Sequence, residues 1–252
     1  TEASVGENYQ AEAGFVRRKG YNLLSPVAGF LWIPNKRIIS HGPRLDANYF
    51  YNMDYARVDH DFTISYQFEF KDRSTLSFGI KDFYTRLDKD FDPTHSRDTV
   101  LLKGTEYSTN MGYVQYRSDT RRLFNFGTSL YKGGFFNGNI TTVEGQLVFR
   151  YQPYMNLSFN FSYNDIRLPF PFQQADFWLL GPKLDLTLSE KVFFSTYVQY
   201  NEQMKNTNIN MRFQWRYKPV SDLFVVYTDN YFTESWNRKN RALVLKLSFW
   251  FN

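Results

Sequence analysis

The feature that most constrains the fold of this chain is the alternation of apolar and polar residues in six segments of 9–13 residues. The clearest segment is 155–164, where every odd position is apolar or aromatic and every even position is Asn or Ser. Successive side chains of a β-strand point to opposite faces, so each segment predicts a strand with one apolar and one polar face. Repeated along a whole chain, this pattern is typical of a barrel with lipid outside and water inside.

The composition excludes several classes of protein. Of the 252 residues, 20% are aromatic, yet the mean hydropathy is −0.51 because polar residues lie between the aromatic ones. No run of about 18 apolar residues is present, so we expect no transmembrane helix. The absence of cysteine excludes a disulfide framework and a thiolate metal site. The net charge of +5 is spread over 30 basic and 25 acidic residues, so we expect no nucleic-acid partner.

The alternation predicts strands throughout the chain and almost no helix. A tilted strand needs about 9–11 residues to cross a membrane, and the predicted strands reach that length. We therefore predict that residues 1–252 form one all-β domain, a transmembrane antiparallel up-and-down β-barrel with about 14 strands. The alternation is least regular in 21–33, 104–117 and 222–231. The predicted strands are 8–18, 21–33, 44–55, 58–70, 75–87, 104–117, 121–132, 139–152, 155–166, 175–188, 191–201, 206–217, 222–231 and 241–251.

The lengths of the connections provide a partly independent indication of topology. Outer-membrane barrels have short periplasmic turns and longer external loops. With a periplasmic C-terminus, the alternate connections 71–74, 118–120, 153–154, 189–190 and 218–221 are tight. The other set contains the longer connections 88–103, 167–174 and 232–240, although 19–20 and 56–57 in that set are short. The segment 34–43 is too long for its predicted side, beside the least regular of the predicted strands.

Aromatic residues are predicted at both ends of the strands, where amphipathic rings meet lipid headgroups. The last predicted strand also alternates up to an aromatic residue near its end, which resembles the signal that barrel-assembly machines recognise. The predicted aromatic girdle consists of Tyr9, Phe70, Tyr151, Tyr217 and Phe251 at periplasmic ends, and Tyr55, Tyr163 and Tyr200 at outer ends.

A soluble β-sandwich or a small ligand-binding barrel is the alternative fold. In such a protein the apolar face packs into a core and the polar face meets solvent. Periodicity alone does not separate the two folds. The small uncharged residues of the polar face, the aromatic strand ends, the alternating turn lengths and the terminal strand favour the membrane barrel.

Two segments resemble a known protein family. They are GFVRR at 14–18 and NMRFQWRYKPVSDLFVVY at 210–227, of which the second is the more specific. They resemble the C-terminal barrel region of a Bacteroidota outer-membrane family, whose full-length members carry a carbohydrate-binding-module-like sandwich ahead of a barrel of uncharacterised function. This chain has Val220 where the family usually has Gly. The resemblance implies location and architecture but no activity.

The same resemblance implies that further strands precede GFVRR in full-length relatives. The chain begins at Thr1 without a signal peptide, so we expect a mature chain or the C-terminal portion of a longer protein. If it is complete, the strands at 8–18 and 241–251 pair and close the barrel. If it is a fragment, the last strand pairs with a strand encoded upstream, in a larger barrel.

The sequence predicts no catalytic site, no metal site and no cofactor. In the triplet at 59–61, alternation directs Asp59 and Asp61 to one face and His60 to the other, which separates a base from an orienting carboxylate. His95 lies near Asp92 and Asp98 in a long loop and is interpreted as part of a solvated charge cluster. The glycines Gly133, Gly134 and Gly138 are interpreted as turn residues between two strands.

Charged residues on the predicted inward face form two groups. The acidic wall consists of Asp46, Asp54, Asp59, Asp61 and Glu69, and the basic wall consists of Arg150, Lys183, Arg212, Arg216 and Lys246. In a closed barrel these groups would oppose each other across the lumen and could orient polar solutes. In the alternative interpretation the charges pair and fill the interior.

These observations predict a non-enzymatic outer-membrane barrel. It is either a channel or transporter for polar solutes such as glycans, or a membrane-embedded subunit of a larger outer-membrane complex. The predicted partners are outer-membrane lipid and lipopolysaccharide, together with other outer-membrane or periplasmic proteins in the subunit case. A barrel enzyme of protease or lipase type and a soluble β-barrel binding protein remain alternatives.

Overall fold

The computed structural model describes residues 2–6, 19–34, 37–95 and 99–251. These residues form fifteen β-strands. No helix among them is long and apolar enough to cross a membrane. The strands are β1 (Glu2–Val5), β2 (Tyr21–Leu24), β3 (Val27–Gly29), β4 (Ile38–Asn52), β5 (Arg57–Phe70), β6 (Thr75–Arg86), β7 (Glu106–Arg117), β8 (Phe124–Phe135), β9 (Gly138–Tyr151), β10 (Met155–Arg167), β11 (Ala175–Ser189), β12 (Val192–Asn201), β13 (Asn206–Lys218), β14 (Ser221–Phe232) and β15 (Arg238–Leu247).

All fifteen strands belong to one antiparallel sheet. Its order is β1-β2-β4 and then every strand in sequence to β15, while β3 also pairs with β4. Neighbours in the chain are therefore neighbours in the sheet, an arrangement that antiparallel strands reach through short connections. The prediction of an all-β, antiparallel, up-and-down fold is confirmed.

The predicted strand at 21–33 is divided into β2 and β3. The break falls at Ser25 and Pro26, because proline lacks the backbone N–H that a continuous ladder needs. The segment nevertheless stays beside β4. The Ser25 hydroxyl donates to Asn48 Oδ1 at 2.7 Å, and the Ala47 N–H donates to the Pro26 carbonyl at 3.1 Å.

Strand β4 begins at Ile38, six residues before its predicted start at 44. The long connection predicted at 34–43 is therefore wrong, because most of that segment belongs to the strand. The polar and turn-forming residues at 40–43 concealed it. Gly42 is needed here for close approach: a Cβ atom at this position would lie 1.8 Å from the Phe30 carbonyl oxygen.

The prediction that Gly133, Gly134 and Gly138 form a turn is also wrong. The two strands are joined by Phe136 and Asn137, and Phe136 has a φ of 50°. Gly133 and Gly134 lie in β8, and Gly138 begins β9. Gly133 serves close packing of neighbouring strands, because a Cβ atom there would lie 2.2 Å from the Asn110 carbonyl oxygen.

The first and last predicted strands compare differently with the structure. Strand β15 covers Arg238–Leu247, so it starts and ends earlier than the predicted strand at 241–251. The predicted strand at 8–18 lies outside the described residues. The short strand β1 was not predicted, and it pairs with β2.

The chain divides into two compact units, which we describe separately. Unit 1 comprises the described residues of Thr1–Tyr116, Leu130–Thr141 and Ile166–Gln174. Unit 2 comprises Arg117–Ser129, Thr142–Asp165 and the described residues of Ala175–Asn252. Unit 1 thus contains β4, β5 and β6, and unit 2 contains β11 to β15.

The connection between β7 and β8 is organised by Asp119. Its carboxylate accepts hydrogen bonds from the Arg121 guanidinium and the Arg121 backbone N–H, both at 2.9 Å. These bonds lower the pKa of Asp119 from 3.8 to about 2. A depressed carboxyl pKa stabilises the folded turn above pH 3.8, and this contribution is lost as the pH falls through about 2.

The packing of β7 against β8 predicts different effects for two glycine substitutions. Gly133→Ala should lower the free energy of unfolding by about 1–3 kcal/mol, because its methyl group collides with the backbone of Asn110. Gly112→Ala is the matched control in β7, where the nearest heavy atom, the Lys132 carbonyl oxygen, would lie 3.9 Å from the new Cβ. Urea unfolding of both variants measures the difference, and equal costs would contradict the close approach.

Candidate functional site

The two faces of the sheet can be assigned from the strand register. Residues directly opposite each other in antiparallel strands project to the same face. In unit 1, Leu45 pairs with Ile64, and Ile64 pairs with Ile80. One position along β5, Thr63 pairs with both Asp46 and Lys81. Unit 1 therefore has an apolar face and a polar face across β4, β5 and β6.

Unit 2 has the same division across β12 to β15. Its apolar face includes the row Phe194, Phe213, Val225 and Leu245, which follows the register from strand to strand. Its polar face includes Asn210, whose partners are Tyr197 and Thr228. Tyrosine and valine also occur on the polar face, so the alternation is less strict here than in β10.

The burial of the two faces is the reverse of that in a soluble protein. In β5, Ile64 is 54% exposed, whereas its neighbour Ser65 is 4% exposed. In β10, Leu157 is 43% exposed, whereas Ser158 is 9% exposed. In both strands a large apolar side chain is thus more exposed than the small polar side chain next to it.

Four members of the acidic wall, Asp46, Asp59, Asp61 and Glu69, lie on the polar face of unit 1 by register. Asp54 differs from the prediction, because it lies in the turn after β4 rather than on the wall. Its backbone N–H donates to Asn52 Oδ1 at 3.0 Å, and the Ala56 N–H donates to the same oxygen at 2.8 Å. The turn thus begins one residue after β4 ends, earlier than the alternation indicates.

The acidic wall contains its own hydrogen-bond donors. Arg44 donates to Asp46 at 2.6 Å, and Arg73 donates to Glu69 at 2.9 Å. Asn48 donates to Asp61 at 2.9 Å. Lys81 is a further cation on this face, and its Nζ lies 5.3 Å from the ring centroid of Tyr113 and 5.2 Å from that of Tyr131. The wall is therefore less negative than its aspartates alone indicate.

The basic wall of unit 2 is likewise partly neutralised. Lys183, Arg212, Arg216 and Lys246 lie on the polar face by register. Lys183 pairs with Asp185 at 2.8 Å, and Arg216 pairs with Asp222 at 3.4 Å. The sequence analysis did not name these two aspartates, because it grouped the inward residues into one acidic and one basic wall.

The remaining cations of the basic wall contact neutral groups. Arg150 donates to the Thr120 carbonyl oxygen at 3.4 Å. The guanidinium of Arg212 donates to Gln214 at 3.3 Å and lies 5.8 Å from the ring centroid of Phe224. Arg212 remains exposed, so it is a charge that a solute on the polar face can meet.

The residues of the predicted aromatic girdle fall into three groups by their position in the structure. Five members lie on strands, while Tyr55 lies in the turn after β4 and Phe251 lies beyond β15. Tyr9 lies outside the described residues. Tyr217 donates a hydrogen bond to the Ser248 carbonyl oxygen at 2.8 Å. The five on strands, which lie at or toward strand ends, are Phe70, Tyr151, Tyr163, Tyr200 and Tyr217.

His60 has a carboxylate partner that the sequence pattern does not indicate. Its Nε2 lies 2.6 Å from Asp82 Oδ1, and Asp82 is on β6, so the two residues are distant in the sequence. Both lie on the apolar face, with the rings of Tyr49 and Tyr84 beside His60. His60 Nδ1 is buried and accepts or donates no hydrogen bond. The pair has a base and an orienting carboxylate, but no nucleophile contacts the second ring nitrogen.

The other candidate sites offer no chemistry of their own. Within the described ranges, no three His, Cys, Asp or Glu side chains are grouped to hold a metal ion. A shallow groove of about 420 Å³ lies on unit 1 beside Gly112. Phe78, Ile80, Val114 and Leu130 line most of it, so it presents an apolar surface rather than a site for a polar ligand.

Comparison of the chain with protein-family models, with curated proteins and with solved structures finds no match.

Proposed function

We propose that this chain is an outer-membrane β-barrel without enzymatic activity, whose polar face lines an aqueous interior. It serves either as a channel for polar solutes such as glycans or as the membrane-embedded subunit of a larger complex. The observation that supports the proposal best is the reversed burial of the strands, with apolar side chains exposed and small polar side chains covered. Lipid is the environment that makes such an exposed apolar face favourable.

The reversed burial disfavours the soluble alternative. A soluble sandwich or binding barrel covers its apolar face, and exposed apolar patches on soluble monomers rarely exceed a few hundred Å². Here the exposed apolar side chains recur from β5 to β15. They include Ile64, Ile80, Val114, Leu130, Leu157, Met211 and Leu245. A second copy or another partner would have to cover all of these strands if lipid did not.

Membrane insertion requires that the edge of the sheet at β15 be covered. Among the described residues, β15 has one neighbour in the sheet, β14. An unpaired edge in lipid exposes backbone groups that cost several kcal/mol each. We therefore propose that further chain covers this edge. The candidates are the predicted strand at 8–18 and, in a longer protein, a strand outside this sequence.

The chemistry of the polar face suits polar solutes and not catalysis. Arg212 and Lys246 supply cations on one unit, and Asp59 and Asp61 supply carboxylates on the other. The His60–Asp82 pair lies on the apolar face, away from any solute in the interior, and it has no nucleophile. The likeness of 210–227 to a Bacteroidota outer-membrane family supports the same location, with lipopolysaccharide as a lipid partner.

Conductance across a planar bilayer separates the channel from the subunit. A channel should give discrete current steps, and Arg212→Glu should shift the ion selectivity toward cations, because this side chain is exposed on the polar face. Lys191→Glu makes the same change of charge in the turn between β11 and β12, and it should leave selectivity unchanged. Inserted protein without current steps would contradict the channel and favour the subunit.

The membrane environment itself is tested by two neighbouring substitutions in β13. Met211 and Asn210 are both exposed and lie on opposite faces. Met211→Arg should lower the free energy of unfolding in lipid vesicles by about 2–4 kcal/mol, because it places a charge in the hydrocarbon. Asn210→Arg should cost far less. On a soluble protein both exposed sites would tolerate arginine within about 0.5 kcal/mol, and that outcome would contradict the proposal.

A further inference from the structure

An ion-pair cluster lies on the apolar face of unit 2, where charge is least expected. We call it the Asp229 cluster, and it consists of Asp229, Tyr227, Tyr231, Arg238 and Arg241. Asp229 pairs by register with Ile209 on one side and with Arg241 on the other. Tyr227 pairs with Met211 on one side and with Leu243 on the other, so the cluster is on the apolar face.

Asp229 is fully buried and binds through one oxygen. Its Oδ2 accepts hydrogen bonds from the hydroxyl groups of Tyr227 at 2.6 Å and Tyr231 at 2.7 Å. The same oxygen accepts from Arg241 Nε at 2.8 Å and Nη2 at 2.6 Å. Charge-assisted bonds of this kind fix the geometry of a guanidinium group. Asp229 therefore holds Arg241 in one orientation.

Arg238 is held far more loosely. Its Nε lies 3.6 Å from Asp229 Oδ1, an oxygen that has no hydrogen bond. Both arginine side chains remain about half exposed, whereas the Asp229 side chain between them is buried. Two arginines and one aspartate leave a net charge of +1 at the surface. One arginine is enough to neutralise the charge of Asp229, so the second arginine leaves a positive charge that can bind an anion.

The position of the cluster along the strands favours the lipid headgroup region. Asp229 lies three residues before the end of β14, and Arg238 is the first residue of β15. With a rise of about 3.4 Å per residue and a tilt of about 40°, Asp229 is roughly 8 Å from the strand end. Charges on the lipid face cost little at this height, whereas they are costly at the midplane.

Apolar side chains continue from the cluster along the same face. Leu243, Leu245 and Leu247 alternate down β15, and all three are exposed. On β13, Met211 is opposite Tyr227 and is also exposed. The surface thus carries positive charge near the strand ends and a row of exposed apolar side chains beyond it. This is the chemical pattern of an anionic lipid, a charged headgroup followed by acyl chains.

We propose that the Asp229 cluster binds the phosphate of a lipid headgroup, with the acyl chains lying along Leu243 and Leu245. The inference rests on the proposed membrane function. Arg238 and Arg241 donate to the phosphate oxygens through their exposed guanidinium edges, because the guanidinium fork matches phosphate geometry. Asp229 and the two tyrosines do not touch the lipid; they position Arg241.

Lipid binding in detergent micelles tests this assignment directly. Native mass spectrometry should show phosphatidic acid bound about tenfold more tightly than phosphatidylcholine with the same acyl chains, because its phosphate carries more negative charge and no choline cation. Arg238→Gln should abolish this preference while Asp229 stays paired with Arg241. Arg241→Lys, which keeps the charge and loses the fork, should reduce the preference. Lys191→Gln, at the opposite strand ends, should retain it.

Two further arms separate the competing explanations. Inorganic phosphate should bind about tenfold more weakly than phosphatidic acid, because it lacks the apolar contacts; equal affinity would overturn the lipid assignment. Equal binding of the two lipids by the unsubstituted chain, or a preference that survives Arg238→Gln, would overturn the site. Failure of the protein to insert into vesicles would refute the proposed membrane function instead, and the micelle measurement does not depend on insertion.

Discussion

The stability of this sheet depends on what surrounds its exposed apolar side chains. In β4 and β5, and less strictly in β13 and β14, large apolar residues lie mainly on one face and polar residues mainly on the other. Small residues of the polar face such as Ser65 and Ser158 are buried, whereas Ile64 and Leu157 on the apolar face are exposed. Removing apolar surface from water contributes roughly 25 cal/mol per Å², so leaving this whole face in water would sacrifice the main driving force of folding. A lipid environment removes that conflict, and the register then keeps rows such as Leu45, Ile64 and Ile80 on the same side.

Much of the fold follows from local sequence pattern, and the misses have local causes. Strand β5 was predicted at 58–70 and covers Arg57–Phe70, because its alternation is almost unbroken. The start of β4 was missed because Gly42 and Pro43 are usual turn residues; here Gly42 makes room for the Phe30 backbone. Gly133 was assigned to a turn for the same reason. In both cases the glycine allows another segment of backbone to approach closely, and a single sequence does not reveal which positions need this.

The candidate site was predictable as two faces but not as a set of contacts. Alternation alone places Asp59 and Asp61 on one face of β5 and His60 on the other. The partner of His60, Asp82, depends on the register of β5 against β6. The same is true of Asp229 and Arg241, which are twelve residues apart in sequence and directly opposite in the sheet. All four of these residues interrupt an apolar face, and the alternation alone does not indicate which of them pair.

The central claim is that lipid covers the apolar face and water reaches the polar face. Because the chain has no cysteine, single cysteines report on one position each. Leu157 and Asn160 are both exposed and lie on opposite faces of β10, so what surrounds the protein decides their reactivity. In lipid vesicles, a charged, water-soluble maleimide should label a cysteine at position 160 and leave one at position 157 unlabelled. Rapid labelling at position 157, with or without labelling at position 160, would contradict the account.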